Sequence, residues 1–234
     1  MSSANRSFTD LVFDLDDTLL DTYGQLVPQA AREACTAMIE NGLKTNLEVC
    51  LHAREHLAHT SERTHLFQSI AEKFGVSEGA NPKVAADAGF RAFYDRKVEP
   101  SIKLISGARE MLESLKTHYK LHLVTAGHPD TQESKLRILG LRPCFDSVTI
   151  VNTFAKQEKG AAFAAIQAAT KASSQNLLSI GNRLDTDISP AKRLGWSTAW
   201  VRYGEYAHTQ IANPEENPDY TLQQITELPL VCQL

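Results

Sequence analysis

Long hydrophobic runs are missing from this sequence. None of its 234 residues fall in a stretch approaching the roughly eighteen consecutive apolar positions of a membrane-spanning helix, which excludes such a span. Cysteine is scarce as well. Cys35, Cys50, Cys144 and Cys232 are widely scattered, with no Cys-x-x-Cys pair and no histidine at zinc-finger spacing. That excludes a disulfide scaffold and a zinc finger, and leaves free thiols in a reducing cytoplasm as the expectation. Positive charge is not in excess either: 24 Lys and Arg stand against 28 Asp and Glu, a formal net charge of -4. There is thus no general electrostatic reason to bind nucleic acid or an anionic membrane. No internal repeat and no low-complexity tract is present. The opening Met1 to Ser7 is short and polar, and the apolar run after it is broken by Asp14 before it could act as a signal peptide, so a cytoplasmic protein is expected. With 42% apolar and 22% charged residues, the chain is of ordinary globular composition. Its length suits one large domain or a core with a smaller inserted one.

What the sequence does contain is Leu11-Val12-Phe13-Asp14-Leu15-Asp16-Asp17-Thr18. Three apolar residues read as a buried strand whose C-terminal tip carries carboxylates two positions apart. Strand period is two, so Asp14 and Asp16 share a face if the strand continues through both. If the backbone turns between them, they converge above the sheet edge instead. Carboxylates are poor strand formers and costly to bury unpaired, so an acidic cluster directly after an apolar run invites a divalent cation. An acidic strand-to-loop junction in solvent is the plainer alternative on these eight residues alone.

Beyond Leu19 to Val27, which looks irregular, about 70 residues are helical in pattern and contain no convincing strand. Pro28 opens a helix ending at Asn41-Gly42, and further windows run over 47–59, 64–74 and 82–96, with Gly75 as a stop and Asn81-Pro82 as a start. From Ile102 helix and strand alternate. Ser106 is expected to cap a helix through Met111 and Leu115. Strands are expected at 121–125, 147–151, 177–180 and 198–201, with an edge strand at Tyr220 to Leu222. Helices are expected at 131–139, 160–170 and 187–194, Pro190 being tolerable only in a first turn. Such alternation means an α/β protein with a parallel sheet and helices on both faces.

Ligands of these sheets sit beyond the carboxyl ends of the strands. That rim carries Asp14 and Asp16, then Thr125-Ala126-Gly127, then Lys156 or Lys159, then Gly181-Asn182 leading to Asp185 and Asp187. One hydroxyl, one or two ammonium groups and several carboxylates on one rim describe a phosphate site with a metal.

These four groups, in this order, resemble the signature motifs of the haloacid-dehalogenase-like (HAD) hydrolase superfamily. Asp14-Leu15-Asp16-Asp17-Thr18 matches its Asp-x-Asp-x-Thr, Thr125 its second motif, a lysine ahead of a helix its third, and Gly181 to Asp187 its acidic fourth; Gln132 and Lys135-Leu136 also fit. The resemblance implies a Rossmann-like core over residues 1–21 and 100–234 and an inserted all-helical cap over 22–99. It implies Mg2+ held by Asp14, Asp16 through its backbone carbonyl, Asn182 and Asp187. A small phosphorylated substrate would be held by Thr125, Ala126 and Lys159, with backbone N–H groups of Leu15, Asp16, Ala126 and Gly127 completing a phosphate cradle. Asp14 would be the nucleophile that forms an aspartyl-phosphate, and Asp16 the acid and base. Because a halide leaving group needs no proton, Asp16 favours phosphoryl transfer over dehalogenation.

Two features depart from or strain the pattern. Asn182 stands where most members have Asp, and Asp185 is either a compensating ligand or a helix cap. Lys159 has the better offset to the helix near Gly160, while Lys156 is nearer the strand end. The implied protein is a cytoplasmic phosphatase, monomer or homodimer, without nucleic-acid or membrane partners. A sugar-phosphate phosphomutase and a non-catalytic phosphate-binding protein are its rivals. Asp17 is expected to be structural or solvent-facing, and Trp196, Trp200 and the Ala-rich helices to be core. His52, His56 and His59 are expected to form a solvated or cap-facing row, and Arg54, Arg63 and His65 are left as groups that could touch a leaving group.

Overall fold

The structure is a computed structural model that describes residues 8–58 and 65–233. Along the chain come β1 (Asp10–Phe13), α1 (Thr22–Gln25), α2 (Val27–Glu40), α3 (Leu47–Ala58), α4 (Leu66–Phe74), α5 (Pro82–Tyr94), α6 (Ala108–Leu115), β2 (Lys120–Ala126), α7 (Pro129–Leu139) and β3 (Ser147–Val151). There follow α8 (Lys159–Thr170), β4 (Leu177–Gly181), α9 (Ser189–Arg193), β5 (Ser197–Val201), β6 (Tyr220–Leu222) and α10 (Leu228–Cys232). They divide into two compact units, one of Met1–Gly24 with Glu99–Leu234 and one of Gln25–Val98.

The larger unit is built on one six-stranded sheet of order β3-β2-β1-β4-β5-β6, every neighbouring pair parallel. β1 is central although it comes first: Phe13 lies opposite Leu123 of β2 on one side and Ile180 of β4 on the other. All four of its residues are buried, as a strand covered on both faces requires, and this is why Leu11 to Phe13 read as an apolar run rather than an alternating one. With crossovers of the usual right hand, this strand order puts α6 and α7 on one face and α8 and α9 on the other. On the second face Phe163 and Ile166 of α8 pack with Ala191, Trp196, Val12 and Val124, the Phe163 and Trp196 rings lying 5.2 Å apart. Each such fully buried apolar side chain contributes about 1.5–3 kcal/mol.

The helical unit has an apolar cluster of its own, with Ala34, Cys35 and Met38 of α2, Cys50 of α3 and Leu66, Phe67 and Ile70 of α4 buried together. The Phe67 and Phe93 rings lie tilted against each other at 5.7 Å, and Arg54, itself buried, lies over the same Phe93 ring. His52 and His56 are exposed. His59 and Arg63 lie outside the described residues.

Several local expectations need correction. Ser106 does not cap α6. Gly107 is the residue before it, in the left-handed region with φ 78° and no side-chain cap. The segment 187–194 is not one helix. A single π-type turn over Leu184–Ile188 precedes α9, which puts Pro190 in the first turn of a new helix, where it loses no hydrogen bond. A four-residue helix, α1, interrupts the stretch expected to be irregular. Both tryptophans are core, and Ala-rich α8 fully buries Lys159, Phe163 and Ile166, with Ala162 half-buried against the same cluster; exposed alanines such as Ala161, Ala164 and Ala165 suit a helix's solvent face by propensity. The four cysteines are free and buried. Among the described residues no helix is long and apolar enough to cross a membrane.

Candidate active site

In the strand order, β1 and β4 are neighbours whose onward connections run in opposite directions. A crevice opens beyond the strand ends at such a point. β1 ends at Phe13 and the chain turns, so Asp14 and Asp16 do not share a strand face. They lie in two separate networks.

The first network is buried. Lys159, at the first position of α8, points its Nζ between Asp14 Oδ1 at 2.7 Å and Asp187 Oδ1 at 2.6 Å. All three side chains are more than nine-tenths buried. Asp187 is held from every side: its Oδ2 accepts from the Arg183 N–H at 2.9 Å, and its carbonyl accepts from Ser179 Oγ at 2.9 Å. Gly181, at the tip of β4, makes this possible, since a Cβ there would lie 2.3 Å from Asp187 Cγ. Two carboxylates against one ammonium leave an excess of buried negative charge. Burial pushes the Asp14 carboxyl up to about 7, against the pull of Lys159 and with help from the charges of Asp187 and Asp16. Burial works to lower Lys159, but its two carboxylate partners more than offset this and raise it. Lys156 is elsewhere: it is exposed and ends a short turn in the left-handed region.

The second network surrounds Asp16. Its Oδ1 accepts from Lys135 Nζ at 2.6 Å and, by a short bond, from Thr22 Oγ1. Its Oδ2 accepts from Gln132 Nε2 at 2.8 Å, and the same amide nitrogen makes a short contact with Thr125 Oγ1. Burial pushes the Asp16 carboxyl up, but the Lys135 charge and the three hydrogen bonds outweigh it, and Asp16 is held below the usual carboxylate range. Sequence reading singled out Gln132 and Lys135 without giving them a task, and passed over Thr22. The available signal was the three-residue spacing of Gln132 and Lys135, which puts them on one side of the helix that leaves β2.

Asp17 is not solvent-facing. It is buried, takes up φ 54°, and its carboxylate accepts from the N–H groups of Tyr23 at 2.7 Å and Glu205 at 3.4 Å. Burial pushes it up to about 7, the Tyr23 bond opposing. Asp185 turns away from the buried carboxylates: it is 57% exposed and paired through both oxygens with the Arg183 guanidinium, which also lies 4.5 Å over the Tyr206 ring. Asn182 is buried, its carbonyl accepting from Trp200 Nε1 at 2.9 Å.

Of the expected phosphate cradle, Gly127 drops out, because its N–H extends the β2–β3 ladder to Val151 O at 3.0 Å. Among the described residues, the N–H groups of Leu15 and Asp16 donate to no backbone carbonyl, and the Asp16 carbonyl accepts from no backbone N–H. No group of three His, Cys, Asp or Glu side chains at metal-binding spacing occurs among the described residues. The set Asp14, Asp187, Asn182 and the Asp16 carbonyl offers two carboxylates and two neutral oxygens instead. Hard oxygens throughout, and a surplus of buried negative charge, suit Mg2+.

The chain matches the family model described as haloacid dehalogenase-like hydrolase over residues 11–201. It is 29% identical to the glyceraldehyde 3-phosphate phosphatase of Pyrococcus furiosus, over 98% of this chain and 93% of that protein. To the protein of the same name from Pyrococcus abyssi it is 32% identical, over 83% and 82%. Its fold superimposes on the HAD-hydrolase YfnB of Bacillus subtilis, solved bound to magnesium, with a TM-score of 0.69 at 21% identity, covering 97% of this chain and all of that one. Motifs, sheet order and family match agree, and the chain belongs to the haloacid dehalogenase-like hydrolases.

Proposed function

We propose that this hydrolase is a phosphatase of a small phosphorylated metabolite, working through an aspartyl-phosphate on Asp14. The observation that carries the reading is the buried Asp14–Lys159–Asp187 cluster at the β1–β4 crevice, with Asp16 held separately beside it. The phosphatase names of the archaeal relatives support it.

A phosphate ester dianion repels a carboxylate, so its charge must be offset before Asp14 can approach phosphorus. Lys159 supplies one positive charge next to the Asp14 oxygen. Mg2+, held by Asp14, Asp187, Asn182 and the Asp16 carbonyl, would supply the remaining neutralisation. Thr125 donates its hydroxyl proton to a phosphoryl oxygen, and the backbone N–H groups near Leu15, Asp16 and Ala126 cradle the others. Asp14 then forms a bond to phosphorus as the ester P–O bond breaks; Asp16, which takes up a proton when the substrate dianion sits beside it and disfavours its charged form, gives that proton to the departing alkoxide. In the second half Asp16 takes a proton from water, the water oxygen bonds to phosphorus, and the P–O bond to Asp14 breaks. Inorganic phosphate leaves and Asp14 is restored.

We further read residues 22–99 as a cap domain inserted between core segments 1–21 and 100–234, and as the part that selects the substrate. The test is release of phosphate from an aryl phosphate and from a panel headed by three-carbon sugar phosphates. Turnover is expected to depend on added Mg2+, to stop with excess chelator and to fall to background in Asp14→Asn. Full activity in Asp14→Asn would remove the mechanism, and isomerised sugar phosphate without free phosphate would make the protein a mutase.

A further inference from the structure

The second network has more partners than an acid or base needs for its own charge balance. Lys135 and Gln132 are both buried, and a buried ammonium is tolerated only where a partner compensates it. Among the described residues the carboxylate that Lys135 meets is Asp16. An ionised carboxylate only accepts hydrogen bonds, so the Gln132 amide must turn its NH2 toward Asp16. That same NH2 meets Thr125 Oγ1, which must accept from it. The Thr125 proton is therefore left to point elsewhere. One amide thus fixes the direction of the Asp16 carboxylate and the donor direction of Thr125 together.

We propose that Gln132 and Lys135 are positioning residues of the reaction: they hold Asp16 in the orientation from which it serves water, and Gln132 couples that orientation to the Thr125 phosphate contact. The proposal rests on the reading of Asp16 as acid and base. Left to itself, the terminal torsion of an aspartate is broad, and a proton acceptor displaced by about 1 Å costs about 10²-fold in rate. Lys135 and Thr22 hold one oxygen and Gln132 the other, so the plane of the carboxylate is set, not merely its position.

The step most exposed to this loss is hydrolysis of the aspartyl-phosphate, since an aryloxide departs without a proton and its formation does not need Asp16. The experiment compares wild type, Lys135→Met, Lys135→Arg and Gln132→Glu with p-nitrophenyl phosphate and an alkyl phosphate, by steady-state assay and by acid quench of the phosphorylated enzyme. Gln132→Glu keeps the volume but cannot donate to Asp16 or Thr125. With the aryl ester we expect kcat to drop about 10²-fold in Lys135→Met and Gln132→Glu, and the phosphorylated fraction to rise toward one per chain. Lys135→Arg should restore part of the rate. Thermal unfolding of each variant identifies any that fails to fold, and Gln132→Glu alone then reads the step. Lower kcat without accumulation of phosphorylated enzyme means a structural role and overturns the proposal. Wild-type kinetics in both variants, with Asp16→Asn inactive, overturns it while sparing the reading of Asp16. Full turnover in Asp16→Asn removes both.

Discussion

Asn182 is the residue at which this site differs from the pattern it resembles, and the structure gives the difference a physical meaning. Asp185, the nearest candidate to replace the missing acid, is exposed and bound to Arg183, so it does not restore the charge. The carboxylates that meet Lys159 are Asp14 and Asp187. Asn182→Asp should add a third, destabilising the protein alone through like-charge repulsion and strengthening its hold on Mg2+. The check is thermal unfolding across a Mg2+ titration. The midpoint of Asn182→Asp is expected to start below wild type and to rise more steeply with Mg2+, as a ligand that binds the folded state requires. Equal responses would mean that Asn182 lies outside the metal's reach. At this scale the sequence revealed much: Asp14 follows β1, Lys159 opens α8 and Asp187 lies in the turn between β4 and α9, and the structure brings both carboxylates within hydrogen-bond distance of Lys159. The partners of Asp16 were harder to read, because they depend on how far side chains from α7 reach across to β1, which spacing alone does not encode.

Among elements, the turn after β1 depends on a close approach that composition does not advertise. Gly204, at φ +70°, lies so near Asp17 that a Cβ would sit 2.2 Å from its Cγ. Asp17 in turn bonds the backbone of Tyr23 and Glu205. Gly204→Ala should therefore force the 204–206 turn off Asp17 and cost about 1–3 kcal/mol through strain in both residues, measured as a lower denaturant midpoint. A midpoint equal to wild type would show that the turn relaxes freely. The strands were legible as apolar runs and the helices as periodic ones, since burial on both faces and amphipathic packing leave those marks. The π-type turn before α9 and the uncapped start of α6 were not. Both are set by neighbours: the first by the need to seat Asp187 against Gly181, the second by the left-handed Gly107.

On the scale of the molecule, the sheet has a second polar cluster at the end opposite the site. His122 of β2 contacts Ser147 Oγ through Nδ1 at 2.7 Å and Asp10 Oδ1 through Nε2 at 3.0 Å, with Asp10 and His122 both buried. It ties the starts of β1, β2 and β3. Asp10→Ala leaves a buried ring nitrogen without a partner and should destabilise the fold by about 1–3 kcal/mol, while KM for an aryl phosphate stays unchanged. An altered KM would show that the two ends of the sheet are coupled. The same central strand also has a consequence for biosynthesis. Its first residue pairs with Lys120 and with Leu177, each more than a hundred residues downstream. The proposed nucleophile thus leaves the ribosome early but waits for most of the chain before both flanking strands exist. A nascent or truncated chain ending before β4 carries Asp14 without Asp187, and such long-range closure is slow to form. On the proposed mechanism, a chain that ends before β4 lacks Asp187 and is expected to be inert rather than partly active.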